Sequence, residues 1–152
     1  MGRGDASQLE LSGARRAVLE GSDGTRFAVV PGALDERARE AFTRGHCHSL
    51  ALALHEATGW PIVGAEDEEL EICHFFVRTP DGRLLDVTGA HAPEEALQLE
   101  HAAFCPGPDY LVEQPAEWVA GIAEEDPSWR APQVGPARSF VAPLLRAFGL
   151  SP

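Results

Sequence analysis

The stretch LEICHFFVRTPDGRLLDVTG, residues 70–89, decides the fold. An apolar, β-favouring run from Leu70 to Thr79 is interrupted by Pro80-Asp81-Gly82 and resumes from Arg83 to Thr88. Pro at the first corner, Asp at the second and Gly after them predict a type I turn closed by a glycine bulge, and so an antiparallel hairpin with a three-residue loop. Such a loop pairs Thr79 with Arg83. In that register Phe76 faces Asp86 and His74 faces Thr88, which puts His74 and Asp86 on one face as diagonal neighbours. Diagonal neighbours lie roughly 7–8 Å apart at the backbone, within reach of a His–carboxylate hydrogen bond. A slip of one residue would send them to opposite faces.

Upstream, RGHCHSLALALHEATG (residues 44–59) predicts a helix from His46 to Thr58. Cys47, Leu50, Ala51, Leu54 and Thr58 follow helical spacing, and Leu52, Ala53 and Ala57 widen the apolar face. This reads as a buried central helix with His48, His55 and Glu56 on its narrower wet side, capped by Gly59. Trp60-Pro61-Ile62-Val63 leaves it as a short strand. Residues 15–20 and 25–30 read as a hairpin across Gly21-Ser22-Asp23-Gly24, Ala33 to Arg44 as a helix, and Pro93 to Phe104 as a helix with Pro at its first position. Pro106, Pro108 and Pro115 break the chain around Tyr110-Leu111-Val112, and Ala116 to Ala123 reads as a short helix. The fold expected is α+β, with a central buried helix packed on a small antiparallel sheet and C-terminal helices. Residues 1–13 form a flexible N-terminus and 14–152 one domain, in which 125–137 is a Pro-rich strap and 138–149 a terminal helix with the stripe Phe140, Val141, Leu144, Leu145 and Phe148.

Among 152 residues, 12 basic side chains oppose 24 acidic ones. A net charge of −12 argues against nucleic acid and against anionic membrane surfaces as partners. All the basic residues are Arg, which removes lysine chemistry. No apolar run approaches the ~18 residues of a membrane span, and MGRGDASQLE lacks the apolar core of a signal peptide. Three cysteines without CxxC spacing suggest unpaired thiols in a reducing, cytoplasmic setting. No phosphate-binding glycine motif occurs, and Asp67, Glu68, Glu69 and Glu71 read as a solvated acidic run. The acidic field gives a weak preference for a cationic or neutral substrate.

Three residues converge on one chemistry. Cys47, in the first turn of the buried helix, feels the positive end of the helix dipole, which favours the thiolate. His74 on an adjoining strand can take up the thiol proton, and Asp86 beside it can fix the imidazole tautomer. The competing structural roles are a small core cysteine and a satisfied core histidine. Asp86, between Leu85 and Val87, must face solvent or find a partner.

A buried helix with Cys at its N-terminus, followed by a hairpin carrying His and then Asp, resembles the papain-like superfamily, in particular its transglutaminase-like and NlpC/P60-like branches. DGRLLDVTG after a strand His is similar to the Asp strand of arylamine N-acetyltransferases. The resemblance covers residues 44–90. It implies acyl transfer or hydrolysis at an amide-type bond through a thioester, with Cys47 as nucleophile, His74 as general base and Asp86 as orienter, and no cofactor. The substrate would be a peptide, a protein side chain or a small amide. His46 and His48 are the expected substrate-binding positions beside Cys47, with His91 near the cleft. Two alternatives use the same residues differently. One is a zinc site drawn from His46, Cys47, His48, Cys73, His74, His91, His101 and Cys105; the other is a catalytically inactive papain-like interaction or immunity protein.

Overall fold

The structure, a computed structural model, describes residues 16–102 and 110–152. The expected flexible segment 1–13 lies outside them. β1 (Ala17–Glu20) and β2 (Arg26–Val29) pair as an antiparallel hairpin. α1 (Glu36–Arg44) and α2 (Cys47–Thr58) follow, then β3 (Ile62–Glu66), β4 (Ile72–Arg78), β5 (Leu84–Asp86) and β6 (Gly89–His91). After α3 (Pro93–Ala96) and a single 3-10 turn, Glu100–Ala102, come β7 (Tyr110–Gln114), α4 (Ala116–Ala120), α5 (Ile122–Glu125), α6 (Val134–Arg138) and α7 (Val141–Ala147). The five-stranded sheet is antiparallel throughout, in the order β6-β5-β4-β3-β7. The chain is therefore mixed α+β.

The β4–β5 hairpin has the register its turn residues predict. Val77 pairs with Leu85 and Arg78 with Leu84. Gly82 N–H donates to the Thr79 carbonyl at 2.9 Å and Thr79 N–H to the Arg83 carbonyl at 2.8 Å. Gly82 has φ 86°, a left-handed conformation that glycine adopts at no steric cost.

α1 starts at Asp35, whose carboxylate accepts from Ala38 N–H at 3.0 Å, a side-chain N-cap. One turn of chain then separates it from α2. A Cβ on Gly45 would meet the Phe27 ring at 2.9 Å, so a larger residue there would have to push that ring aside. α2 is buried on every side from Cys47 to Leu54 because β4 covers one flank and α1, α4, α6 and α7 the others. This corrects the expected wet face: His48 is fully buried, and only from His55 onward does the helix reach solvent.

Other departures have local causes. The helix expected from Pro93 to Phe104 stops after Ala96; positions 103–104 lie outside the described residues. Ala96 and Ala102 are both buried in one cluster with Phe76 and Leu84, and six residues of continuous helix would turn them onto different faces. Residues 110–114, which propensity leaves irregular, form the edge strand β7, half exposed and closed by Pro115. The strap is irregular only to Gln133; Val134–Arg138 is helical, with Pro136 in the first turn where its missing N–H costs nothing. The terminal helix is shorter than expected, Val141–Ala147, and Phe140, Val141, Leu144 and Leu145 bury their stripe in the main core. The acidic run is not wholly solvated either. Asp67 is buried and accepts the N–H groups of Glu69 and Glu71 at 2.8 and 3.0 Å. Cys73 is disulfide-bonded, which corrects the expectation of unpaired thiols and removes the ground for a reducing compartment. Among the described residues no helix is long and apolar enough to cross a membrane.

Candidate active site

Cys47 is the first residue of α2. The first N–H groups of a helix have no intrahelical acceptor. His46 offers no side-chain cap, and the bonds back to its carbonyl come from Ser49 and Leu50. The N–H of Cys47 is therefore left for another acceptor, and the helix dipole meets the thiol at the same point. The side chain is nearly buried, and Cys47 is the free cysteine among the described residues.

The hairpin brings His74 and Asp86 together as its register requires. His74 Nε2 lies 2.8 Å from Asp86 Oδ2, both side chains almost wholly excluded from solvent. Asp86 Oδ1 accepts from Thr88 N–H at 2.8 Å and from the Thr88 hydroxyl at 2.5 Å, an Asx turn that fixes the carboxylate. Oδ2 is shared with a second imidazole, His101 Nε2, at 2.7 Å. The Thr88 hydroxyl, having given its proton to Asp86, accepts from His91 Nε2–H at 2.8 Å. Asp86 thus gathers donors from two histidines and a threonine, with His91 Nε2 3.5 Å from Oδ1. Burial raises its pKa, but the bonds from His101, His74 and His91 outweigh that and hold it well below the carboxylate range. An ionised carboxylate only accepts, so His74 carries its proton on Nε2 and presents Nδ1 as a lone pair. Nδ1 is buried and makes no hydrogen bond of regular geometry, leaving it to the sulfur of Cys47.

Charge then separates between sulfur and ring. Burial pushes the Cys47 thiol up, but the His74 charge and hydrogen bonds from His48 and His74 bring it down to about 6. Burial lowers His74, while the Cys47 thiolate and the Asp86 bond raise it to about 10. Both shifts favour a thiolate–imidazolium pair at neutral pH.

The two histidines expected to bind substrate are both buried at the start of α2. His46 is fully buried and both ring nitrogens are used: Nε2–H donates to the Glu20 carbonyl at 2.8 Å and Nδ1 accepts from the Ser49 hydroxyl at 2.7 Å. Burial lowers its pKa, in keeping with a neutral ring. His48 is fully buried as well. Its Nε2–H donates to the Arg130 carbonyl at 2.8 Å, and its Nδ1 has no hydrogen-bond partner of regular geometry. The strap holds this end of α2: Gln133 N–H donates to Ser49 Oγ at 2.9 Å, and Trp129 packs edge-on against His48 with ring centroids 5.0 Å apart. His46 and His48 are therefore held at the helix start by the first hairpin and the strap.

A cavity of about 220 Å³ opens beside Cys47, lined also by Arg44, Gly45, Ile72, Ser128 and Trp129. Sequence reasoning placed His101 only among possible zinc ligands and missed its bond to Asp86, which depends on the break after Ala96; it also missed Trp129, which arrives on an irregular segment. Thr88 had a local signal in the Asp-x-Thr spacing of an Asx turn.

For a metal, the side chains that converge among the described residues are His74, Asp86 and His101, their ligand atoms within 4.8 Å of one another. Those atoms already satisfy each other as two donors and an acceptor. His46 spends both ring nitrogens elsewhere, and Cys105 lies outside the described residues. No family model matches the chain, and no curated protein or solved structure is similar enough to it to count as a match.

Proposed function

We propose that this protein is a cysteine-dependent hydrolase or acyltransferase that opens an amide-type bond through a thioester, with a papain-like arrangement of Cys47, His74 and Asp86. The observation that carries the reading is the buried His74 Nε2–Asp86 bond of 2.8 Å, which commits one ring nitrogen and leaves Nδ1 for the sulfur. The Cys47 thiolate attacks the acyl carbon, and the oxyanion of the tetrahedral intermediate takes a hydrogen bond from Cys47 N–H at the helix start. His74 gives its Nδ1 proton to the leaving amine, the C–N bond breaks, and the acyl group stays on sulfur. The neutral imidazole then removes a proton from water or an acceptor amine, which attacks the thioester and restores the thiolate. Asp86 remains ionised throughout and stabilises the imidazolium.

The test is the pH dependence of Cys47 alkylation by iodoacetamide, read by mass spectrometry with Cys47→Ala as control. Below the thiol's pKa a proton quenches the nucleophile, so the rate should rise with a midpoint near the value of about 6. A midpoint at the ~8.5 of an ordinary cysteine would return Cys47 to the role of a core residue and sink the enzyme reading. The cluster of His74, Asp86 and His101 is the observation that favours zinc binding as a second reading. Stoichiometric zinc in the purified protein, lost on Asp86→Asn, would establish it.

A further inference from the structure

The cavity beside Cys47 carries a local charge opposite to that of the whole chain. We propose that it accepts an acyl group bearing a carboxylate a few bonds from the scissile carbonyl, and that Arg44 binds that carboxylate. The inference rests on Cys47 being the nucleophile. In a chain of net charge −12, Arg44 is the charged side chain among the described residues that line this cavity, with no Asp or Glu beside it on the wall. Arg44 and Cys47 are three positions apart in the chain, a span of at most roughly 11 Å, so an acyl chain on sulfur stays within reach of the guanidinium. Ile72 and Trp129 supply apolar walls for methylene groups.

Arg44 is available for a ligand. Its ion pair is with Glu40 at 3.6 Å, an i, i+4 contact in which both side chains are more than half exposed, and such pairs are weak. Asp23 also feels its charge, but lies fully exposed with its carboxylate bonded to Thr25 N–H at 2.9 Å. Neither carboxylate is on the cavity wall. On its far side Arg44 lines a second concavity of about 390 Å³, with Arg37 and Arg39 set against Glu36 and Glu40. That neighbouring concavity is thus also net basic. Guanidinium is suited to holding a carboxylate by paired hydrogen bonds. The expectation of a cationic or neutral substrate came from the bulk charge; the wall of the cavity reverses it.

Two alkylating agents of nearly equal size separate the possibilities, iodoacetate with a carboxylate and iodoacetamide without one. Rates at Cys47 are measured at low ionic strength for the full chain, Arg44→Gln, Arg44→Lys, and Arg146→Gln as a control for net charge. Arg44→Gln should slow iodoacetate about five-fold or more while leaving iodoacetamide nearly unchanged, as expected for removal of one charge close to the reacting sulfur. Arg44→Lys should recover most of the loss and Arg146→Gln should show none. Protection against iodoacetamide by glutarate, compared with a short Glu-containing peptide, distinguishes a free diacid from an acidic side chain. If iodoacetamide labels Cys47 rapidly and the iodoacetate rate ignores Arg44, the carboxylate pocket is wrong and the nucleophile stands. If neither reagent labels Cys47 faster than an ordinary thiol, the inference falls together with the proposed function.

Discussion

Two imidazoles act on the sulfur of Cys47, and they differ in what holds the nitrogen that faces away from it. His74 Nε2–H is bonded to the Asp86 carboxylate and His48 Nε2–H to the Arg130 carbonyl, each at 2.8 Å. Both rings are fully buried and both leave Nδ1 without another partner. Distance and burial therefore do not distinguish them; the charge of the acceptor does. A hydrogen bond to an ionised acceptor is about twice as strong as one to a neutral carbonyl. The carboxylate also stays charged when the ring takes a second proton, whereas a carbonyl offers only its dipole. His74 can thus hold the proton that Cys47 gives up, and is raised to about 10 in doing so. His48 is a positioning group: it ties the start of α2 to the strap through the Arg130 carbonyl.

The largest effect that would break this comparison is on His74. In His74→Ala the burial of Cys47 is no longer opposed by an imidazolium, and the midpoint of alkylation against pH should move from about 6 to the ordinary ~8.5 or above. Turnover of an amide substrate should fall by about 10²–10⁴-fold, the range for loss of a general acid–base group. A midpoint that stayed near 6 would show that His48 alone sustains the thiolate and would reverse the assignment of the two rings.

How far each ring was legible in the sequence follows from how its partner is positioned. His74 and Asp86 are twelve residues apart on one hairpin, and Thr79-Pro80-Asp81-Gly82 sets their register through local turn chemistry alone. Cys47 at the start of α2 was equally local, because Gly45 ends one helix and the apolar run starts the next. The partner of His48 is 82 residues away on an irregular segment, where no periodicity reports position. Its burial was misjudged because the helical stripe assumes one wet face, while α2 is enclosed by elements whose docking only tertiary structure decides. His101 was hidden for a related reason: the continuous helix expected over 93–104 would not bring it to Asp86. The edge strand β7 has too few apolar residues to announce itself, and backbone pairing with β3 places it there.

A smaller effect sharpens the role of His48. His48→Ala removes the donor from the Arg130 carbonyl and empties the space under Trp129, so stability should drop by about 1–3 kcal/mol in denaturant titration. The alkylation midpoint should move by less than about one pH unit, since the His74–Asp86 pair that holds the proton remains. A rise as large as that of His74→Ala would mean that the two rings act as one coupled unit.

The smallest expected effect lies one bond further out. His101 Nε2 and His74 Nε2 share the same oxygen of Asp86, at 2.7 and 2.8 Å, so each draws on the negative charge that the other uses. His101→Phe keeps a ring of similar breadth but removes that donor, leaving more of the carboxylate's charge to the His74 imidazolium. The pKa of His74 should therefore rise, by less than one unit, and the ion pair should persist to slightly higher pH; ring-nitrogen NMR titration of His74 reads this directly. A fall would carry a different meaning. It would show that His101 supports His74 by holding the Asp86 carboxylate in place, and that in this network geometry outweighs the competition for charge.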